Sequence, residues 1–338
     1  MSLTICVVGD GAWATVCGGM LAQNGHRVRL LTIFPDHAAE MASSRGNRRF
    51  LPSYRLEDAV EVTAEPAAAF DRADLAMQMA PTQYIRTWWG RLAPHVRADL
   101  PICSAAKGIE TKTLMRPTEV VADVLGDAPP GRRRLAVLSG PSIAPEVARG
   151  MPATVTCASA DAGLATAVQV AITRPYFRVY THDDVLGVEL AGATKNVIAI
   201  AAGILDGLKA CDNAKAALIT RGLAEITRLG VAMGARAETF AGLSGLGDLV
   251  TTCISPIGRN RSLGEAIGRG ESCQAAQDQM APAVVEGVAT TAAVVELARR
   301  CGVEMPLTAA VYQVLFAGRS PTDAIAELMT RPPKAEVG

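Results

Sequence analysis

LTICVVGDGAWATVCGGMLAQNGHRVRLL, residues 3–31, decides the fold. Leu3–Val8 is a short apolar run, Gly9–Trp13 reads GDGAW, and Ala14–Gln23 continues at helical spacing until Asn24 and Gly25 end it. Arg27–Leu31 is a second apolar run, and it closes a strand, turn, helix, strand unit. Gly9, Gly11 and Ala14 form a G-x-G-x-x-A series at the turn. Small residues there let the backbone approach a pyrophosphate, whose charge meets the free N–H groups of a helix start. The order and spacing predict a dinucleotide-binding unit. Where the second run ends, a carboxylate usually takes the ribose hydroxyls of NAD. Thr32, Ile33 and Phe34 stand there instead, with Asp36 slightly late, while Arg45, Arg48 and Arg49 face either a 2′-phosphate or solvent. Preference between NAD and NADP stays open.

Further strands are predicted at Val60–Thr63, Leu75–Met79, Leu100–Cys103 and Leu135–Leu138, with helices such as Tyr84–Leu92 and Thr118–Leu125 between them. Thr154–Cys157 and Phe177–Tyr180 read as two closing strands around a helix at Leu164–Thr173. This alternation predicts an α/β fold, a doubly wound parallel sheet of Rossmann type. Such sheets bind ligands beyond the carboxyl ends of their strands, where Ala80–Thr82, Ala105–Gly108 and Ser139–Ser142 fall. GVELAGATKNVIAIAAG, residues 187–203, places apolar groups on nearly every face, the pattern of a helix buried inside a domain. His182, Asp183 and Asp184 precede it and supply a cap. A boundary near residue 185 is expected, with a dinucleotide-binding domain at 1–185 and an all-α substrate-binding and catalytic domain at 186–338. In the second part Ala214–Leu229, Gly245–Cys253, Thr290–Arg300 and Pro306–Phe316 read as helices, and Gly203–Asp212 as a loop.

The chain has 33 basic and 33 acidic residues among 338, so no global field favours nucleic acid or an acidic membrane surface. Its hydrophobic content of 49% includes only 4% aromatic residues, which predicts an aliphatic core. The eight cysteines are scattered and the four histidines lack metal-ligand spacing, so reduced thiols and no metal are expected. Glu189, Lys195 and Asn196 inside the apolar helix argue against stable membrane insertion. With no basic leader ahead of the first strand, a cytoplasmic location is expected.

A lysine in such apolar surroundings is pushed toward its neutral form unless it is paired. Lys195 therefore either reaches the surface, pairs structurally, or acts as a proton-donating cation facing a cleft between domains. In LSGLGDLVTT, residues 243–252, Thr252 lies one helical turn beyond Asp248 on the same face, a chemical pair or an ordinary helix start. Gly258, Arg259, Asn260 and Arg261 suit a phosphate, although a short basic run is also common on a solvated surface.

Eight ordered segments carry a resemblance: the fingerprint at Gly9–Ala14, AAKG at 105–108, SGPS at 139–142, GATKNVIAI at 192–200, ALITRGLAE at 217–225, GLGDLVTTC at 245–253, GRNR at 258–261 and VVEG at 284–287. Over essentially its whole length the chain resembles the NAD(P)-dependent glycerol-3-phosphate dehydrogenases of the bacterial type. The resemblance implies reversible hydride transfer between NAD(P)H and dihydroxyacetone phosphate, giving sn-glycerol 3-phosphate for glycerophospholipid synthesis, in a homodimer. It implies Lys195 as proton donor and acceptor, Lys107 beside it at the substrate, and Asp248 and Thr252 as residues that position the reacting oxygen and its lysine. Substrate-binding positions would be Lys107, Gly140, Ser142, Lys195, Asn196, Asp248, Gly258, Arg259 and Asn260. Cofactor-binding positions would be Gly9, Gly11, Ala12, Trp13, Ala14, Lys107, Ala144, Arg259, Val284 and Glu286. The chemistry agrees, since hydride delivered to a ketone leaves charge on oxygen, which needs a cation and then a proton. Gly258 replaces the family's usual serine, Pro145 a common lysine, and Trp13 a tyrosine or phenylalanine. The alternatives are a related dehydrogenase for another phosphorylated or carboxylated ketone and a nucleotide-sensing homologue with little turnover.

Overall fold

In the computed structural model, which describes residues 2–127, 133–333 and 335–336, the chain lays down ten strands: β1 Thr4–Val8, β2 Arg27–Leu31, β3 Gly46–Asn47, β4 Leu51–Arg55, β5 Val60–Thr63, β6 Leu75–Gln78, β7 Ile102–Ser104, β8 Leu135–Ser139, β9 Ala153–Ser159 and β10 Phe177–His182. Helices α1 Ala12–Gln23, α2 Pro35–Ser44, α3 Pro66–Phe70, α4 Ile85–Leu92, α5 Pro117–Val124, α6 Ala144–Ala148 and α7 Ala162–Ile172 alternate with them. Beyond β10 the described residues are helical: α8 Val185–Gly207, α9 Asp212–Ala232, α10 Ala237–Ala241, a π-turn at Leu243–Gly247, α11 Asp248–Ile254, α12 Arg259–Gly268, α13 Cys273–Asp278, α14 Glu286–Cys301, α15 Pro306–Phe316 and α16 Pro321–Met329.

Eight strands form one sheet in the order β10-β9-β8-β7-β6-β1-β2-β5. Pairing is parallel except between β8 and β9, where Val137 faces Ala158 in antiparallel register. The expected doubly wound parallel sheet is present, with one antiparallel pair toward its edge. A parallel neighbour needs a long crossover carrying a full helix, whereas Gly140–Pro152 holds only the five-residue α6. The fully covered strands read as continuous apolar runs because helices pack on both faces; Ile5, Val7, Leu30 and Met77 belong to one layer, Cys6, Val8, Leu31 and Ala76 to the other. Residues 46–55 add a small antiparallel hairpin, β3 and β4, that periodicity did not disclose.

Helix α8 is the axis of the second half, with Val188–Ile200 buried without interruption. Asp184 starts it: Oδ1 accepts from the Gly187 N–H at 2.8 Å, and Oδ2 accepts from the Arg236 N–H and the Thr239 hydroxyl. By length and composition α8 would cross a membrane, but 89% of its apolar window is covered by the rest of the molecule. The expected loop at Gly203–Asp212 is overturned over its first half, because α8 runs to Gly207. Those glycines are close-approach sites rather than breakers. A Cβ on Gly203 would lie 1.9 Å from the Arg261 carbonyl oxygen, and one on Gly207 2.3 Å from that of Glu265, so α12 rests directly on the α8 backbone.

Glu189 ties α8 to the sheet half. Its carboxylate accepts from Arg116 Nη1 at 2.5 Å, from the Thr118 N–H at 2.9 Å and from the Thr118 hydroxyl at 2.7 Å. Burial raises its proton affinity, with Arg116 pulling the other way. Glu189→Ala leaves the mostly covered Arg116 guanidinium with Glu119 alone and takes the acceptor from the buried Thr118 N–H and hydroxyl, and a loss of about 3 kcal/mol or more in unfolding free energy is expected from urea denaturation. A loss under about 1 kcal/mol would show the pair to be energetically idle.

Candidate active site

The site forms where α8 passes the carboxyl ends of β7 and β8. Lys107 follows β7, Gly140 follows β8, Lys195 sits mid-way along α8, and Asp248 opens α11 directly after the π-turn. Irregular turns of that kind concentrate at functional sites because they re-aim the side chain that follows. The Asp248 carboxylate is shared: Oδ1 accepts from Lys195 Nζ at 2.5 Å and Oδ2 from Lys107 Nζ at 2.6 Å. Lys195 Nζ also donates to Thr252 Oγ1 at 2.6 Å, and that hydroxyl donates to the Asp248 carbonyl at 2.6 Å. Lys107 Nζ has a second partner in the Gly140 carbonyl at 2.9 Å, and its backbone carbonyl accepts from Asn196 Nδ2 at 3.2 Å.

Two cations on one carboxylate have unequal surroundings. Lys195 is only 6% exposed, and burial brings its ammonium down to about 8, Asp248 opposing the fall and Lys107 adding to it. Burial works against the charge of Asp248 too, yet the two ammonium groups outweigh it and hold the carboxyl below its ordinary range. Lys107 keeps 22% of its side chain open and forms the solvent side of the cluster. An ammonium able to release its proton near neutrality, held beside a second cation, suits an oxygen that gains negative charge and then a proton.

Around this cluster the other expected site residues take distinct places. Ser142 Oγ donates at 3.1 Å to the Gly140 carbonyl, the same oxygen that accepts from Lys107 Nζ. Arg259 and Asn260 occupy the first turn of α12, with Gly258 as its N-cap. Arg259 Nη1 donates to the Val284 carbonyl at 2.7 Å, and Asn260 Oδ1 accepts from the Gly287 N–H at 2.9 Å, which joins the α12 start to the α14 start. Glu286 opens α14 with one oxygen 3.4 Å from the Thr82 N–H at the end of β6; burial pushes its carboxyl up to about 7, against the pull of Arg259. Arg261 does not join them. It pairs with Asp206 at 2.6 Å, so of the two guanidiniums in GRNR only Arg259 is left for an anion.

The Gly-rich turn leads into α1, which begins at Ala12 with no side-chain cap at Gly11. A Cβ added to Gly11 would meet nothing within 4 Å, whereas Gly9, at φ +138°, already lies against the Met79 carbonyl carbon. Uncapped N–H groups facing open space fit a pyrophosphate. Trp13 packs on Phe177 at 5.7 Å between ring centroids, and Ala144 starts α6 with Pro145 in its first turn. Missed in the sequence were the polar contacts of Asp10 and the buried hydroxyl of Ser255. Thr82 and Ser139, in strand-end segments the sequence marked, also have buried hydroxyls without a partner among the described residues.

Residues 4–165 match the family model described as NAD-dependent glycerol-3-phosphate dehydrogenase N-terminus, and residues 184–326 match the one for its C-terminus. The chain belongs to the NAD-dependent glycerol-3-phosphate dehydrogenase family. It is 46% identical over 336 residues to a glycerol-3-phosphate dehydrogenase [NAD(P)+] of Geobacter sp. (strain M21), covering 99% of each chain. It is also 46% identical over 334 residues to one from Koribacter versatilis (strain Ellin345), covering 98% of each. Among solved structures, the glycerol-3-phosphate dehydrogenase of Coxiella burnetii superposes with a TM-score of 0.93 at 38% identity, covering 98% of this chain and 99% of that one. A ketopantoate reductase from Ralstonia eutropha JMP134, at 18% identity and a TM-score of 0.58 over 96% of this chain and 100% of that one, shares the fold alone. The family relationship makes this chain an NAD(P)-dependent oxidoreductase, and no group of three or more metal-ligating side chains occurs among the described residues.

Proposed function

We propose that Lys107, Lys195, Asp248 and Thr252 carry the reduction of dihydroxyacetone phosphate to sn-glycerol 3-phosphate and its reversal. The observation that supports this most directly is the shared carboxylate: Lys195 and Lys107 approach its two oxygens at 2.5 and 2.6 Å from different elements. When bound at the Gly9–Ala14 turn, NAD(P)H supplies the hydride that reduces the ketone carbon. Lys195 gives its proton to the oxygen that becomes the hydroxyl, and Lys107 offsets the negative charge that builds there. Asp248 holds both ammonium groups in register, and Thr252 fixes the direction of the Lys195 Nζ–H bonds. Arg259 and Asn260 take the substrate phosphate, far enough from the carbonyl to orient it without touching it. Glu286, Val284, Ala144 and Trp13 line the cofactor.

In this reading the first 185 residues bind the cofactor and the helical remainder supplies the chemistry, with closure between them excluding water. The enzyme is a cytoplasmic homodimer that makes the glycerophospholipid backbone. Support for a reducing compartment comes from the eight cysteines, all free thiols.

Oxidation of NADH and NADPH in the presence of dihydroxyacetone phosphate tests the activity, and folded protein that turns over neither cofactor would remove it. Arg259→Ala is expected to raise KM for dihydroxyacetone phosphate by at least about tenfold with a smaller change in kcat, the scale of a lost charge-assisted contact; an unchanged KM would refute its phosphate role. The pH dependence has a definite sign. Ketone reduction needs the ammonium form of Lys195, so its rate falls as pH rises through about 8, while glycerol 3-phosphate oxidation needs the amine and gains over the same interval. Parallel pH–rate profiles in the two directions would contradict this assignment.

A further inference from the structure

We propose that Asp10 selects the adenosine half of the cofactor: its carboxylate accepts a ribose hydroxyl and rejects a 2′-phosphate, so that this chain binds NADH in preference to NADPH. The proposal rests on the cofactor site described above and assigns its specificity.

In sheets of this type the ribose is recognised beyond the second strand, where an acid normally stands. Here β2 gives way to Thr32, Ile33 and Phe34, none of them acidic. Thr32 instead recruits an acid from the Gly-rich turn, its hydroxyl donating to Asp10 Oδ2 at 2.6 Å. That bond holds the Asp10 side chain against the end of β2, the place the missing acid would occupy. The arrangement is braced from two sides. The Phe34 N–H approaches Thr32 Oγ1 at 3.3 Å, and Asn47 Nδ2 from the small hairpin donates to the Asp10 carbonyl at 2.6 Å and to Thr15 Oγ1 at 2.8 Å.

One carboxylate oxygen is thereby spent and the other is available. Oδ1 takes no hydrogen bond from the described residues, and the side chain keeps 12% of its surface open, next to the clear space over Gly11. A ribose hydroxyl donates to such an oxygen with the strength of a charge-assisted bond. A 2′-phosphate brings about two negative charges to the same largely covered carboxylate.

Neutralising cations are scarce there. His37 is the ion-pair neighbour of Asp10 among the described residues, with Nε2 4.0 Å from Oδ2. Arg45, which follows α2, is committed to the backbone carbonyls of Val60 and Glu57. Arg29 is bound to Glu61 and to the Asp71 carbonyl. Arg49 lies over the Phe50 ring at 5.3 Å, and Arg48 is exposed without an ion pair to Asp10.

The test measures equilibrium binding of NADH and NADPH to the substrate-free protein by calorimetry, with melting temperature as a check on folding. Wild type is expected to bind NADH at least about tenfold more tightly, one hydrogen-bond's worth of discrimination. Asp10→Asn keeps an acceptor for Thr32 and removes the charge, and is expected to reduce that ratio about tenfold, mostly through gained NADPH affinity. Thr32→Val, which removes the hydroxyl that holds Asp10 at the strand end without touching the turn, is expected to move the ratio the same way and serves if Asp10→Asn does not fold. Equal affinities in wild type, or a ratio unchanged in both variants, overturn the role of Asp10 while leaving the cofactor site intact. Folded protein that binds neither nucleotide would instead overturn the cofactor site itself.

Discussion

Lys195→Ala is expected to lower kcat by at least about a hundredfold with little change in KM, the scale set by losing a positioned general acid. The variant keeps its fold on physical grounds. Alanine is the best helix former, α8 stays covered, and Asp248 retains Lys107 at 2.6 Å. What disappears is an ammonium that burial has brought into the working range of pH. Steady-state kinetics in both directions checks this. A kcat within about threefold of wild type would return Lys195 to a structural ion pair, since general acid–base contributions seldom fall below about a hundredfold.

Asp248→Asn separates the electrostatic part of the mechanism from the steric part. The amide has nearly the same shape but only one acceptor oxygen, so one lysine keeps a partner, the other meets an NH2 group, and both are left without a countercharge. After burial, Asp248 is the largest influence on Lys195 and the one that sustains its protonated form. Removing it shifts the Lys195 titration below about 8, and the alkaline limb of ketone reduction is expected to move to lower pH by at least about one unit, or about 1.4 kcal/mol of differential stabilisation. At a fixed pH near 8 this appears as a kcat reduced by about fivefold or more. A reduced kcat whose pH profile stays in place would mean that Asp248 acts by geometry alone.

These effects depend on contacts between residues far apart in the chain, and that distance governs what could be anticipated. GDGAW between two apolar runs announced its turn because strand, glycine and helix signals are all local. Pro306–Phe316 matched its helix at both ends for the same reason. Gly203 and Gly207 misled, since a glycine that breaks a helix and one that admits a neighbouring backbone look alike until α12 is in place. Arg259 and Arg261 were alike as members of GRNR; only the position of Asp206, across the α8–α12 contact, withdrew Arg261 into an ion pair. Asp10 drew no reading of its own from the sequence, because its partner Thr32 stands a helix and a strand away.

From sequence alone came the alternation of strands and helices, the nucleotide turn, the buried helix with a lysine inside it, and the family resemblance carried by short ordered motifs. Each depends on hydrophobic period, backbone freedom or residue chemistry within a few positions. The direction of β9, the sharing of one carboxylate by Lys107 and Lys195, and the alignment of Asp10 with the end of β2 belonged to the tertiary structure. They are set by how distant segments pack, and proton affinities follow from that packing through burial and charge separation, neither of which exists along an extended chain.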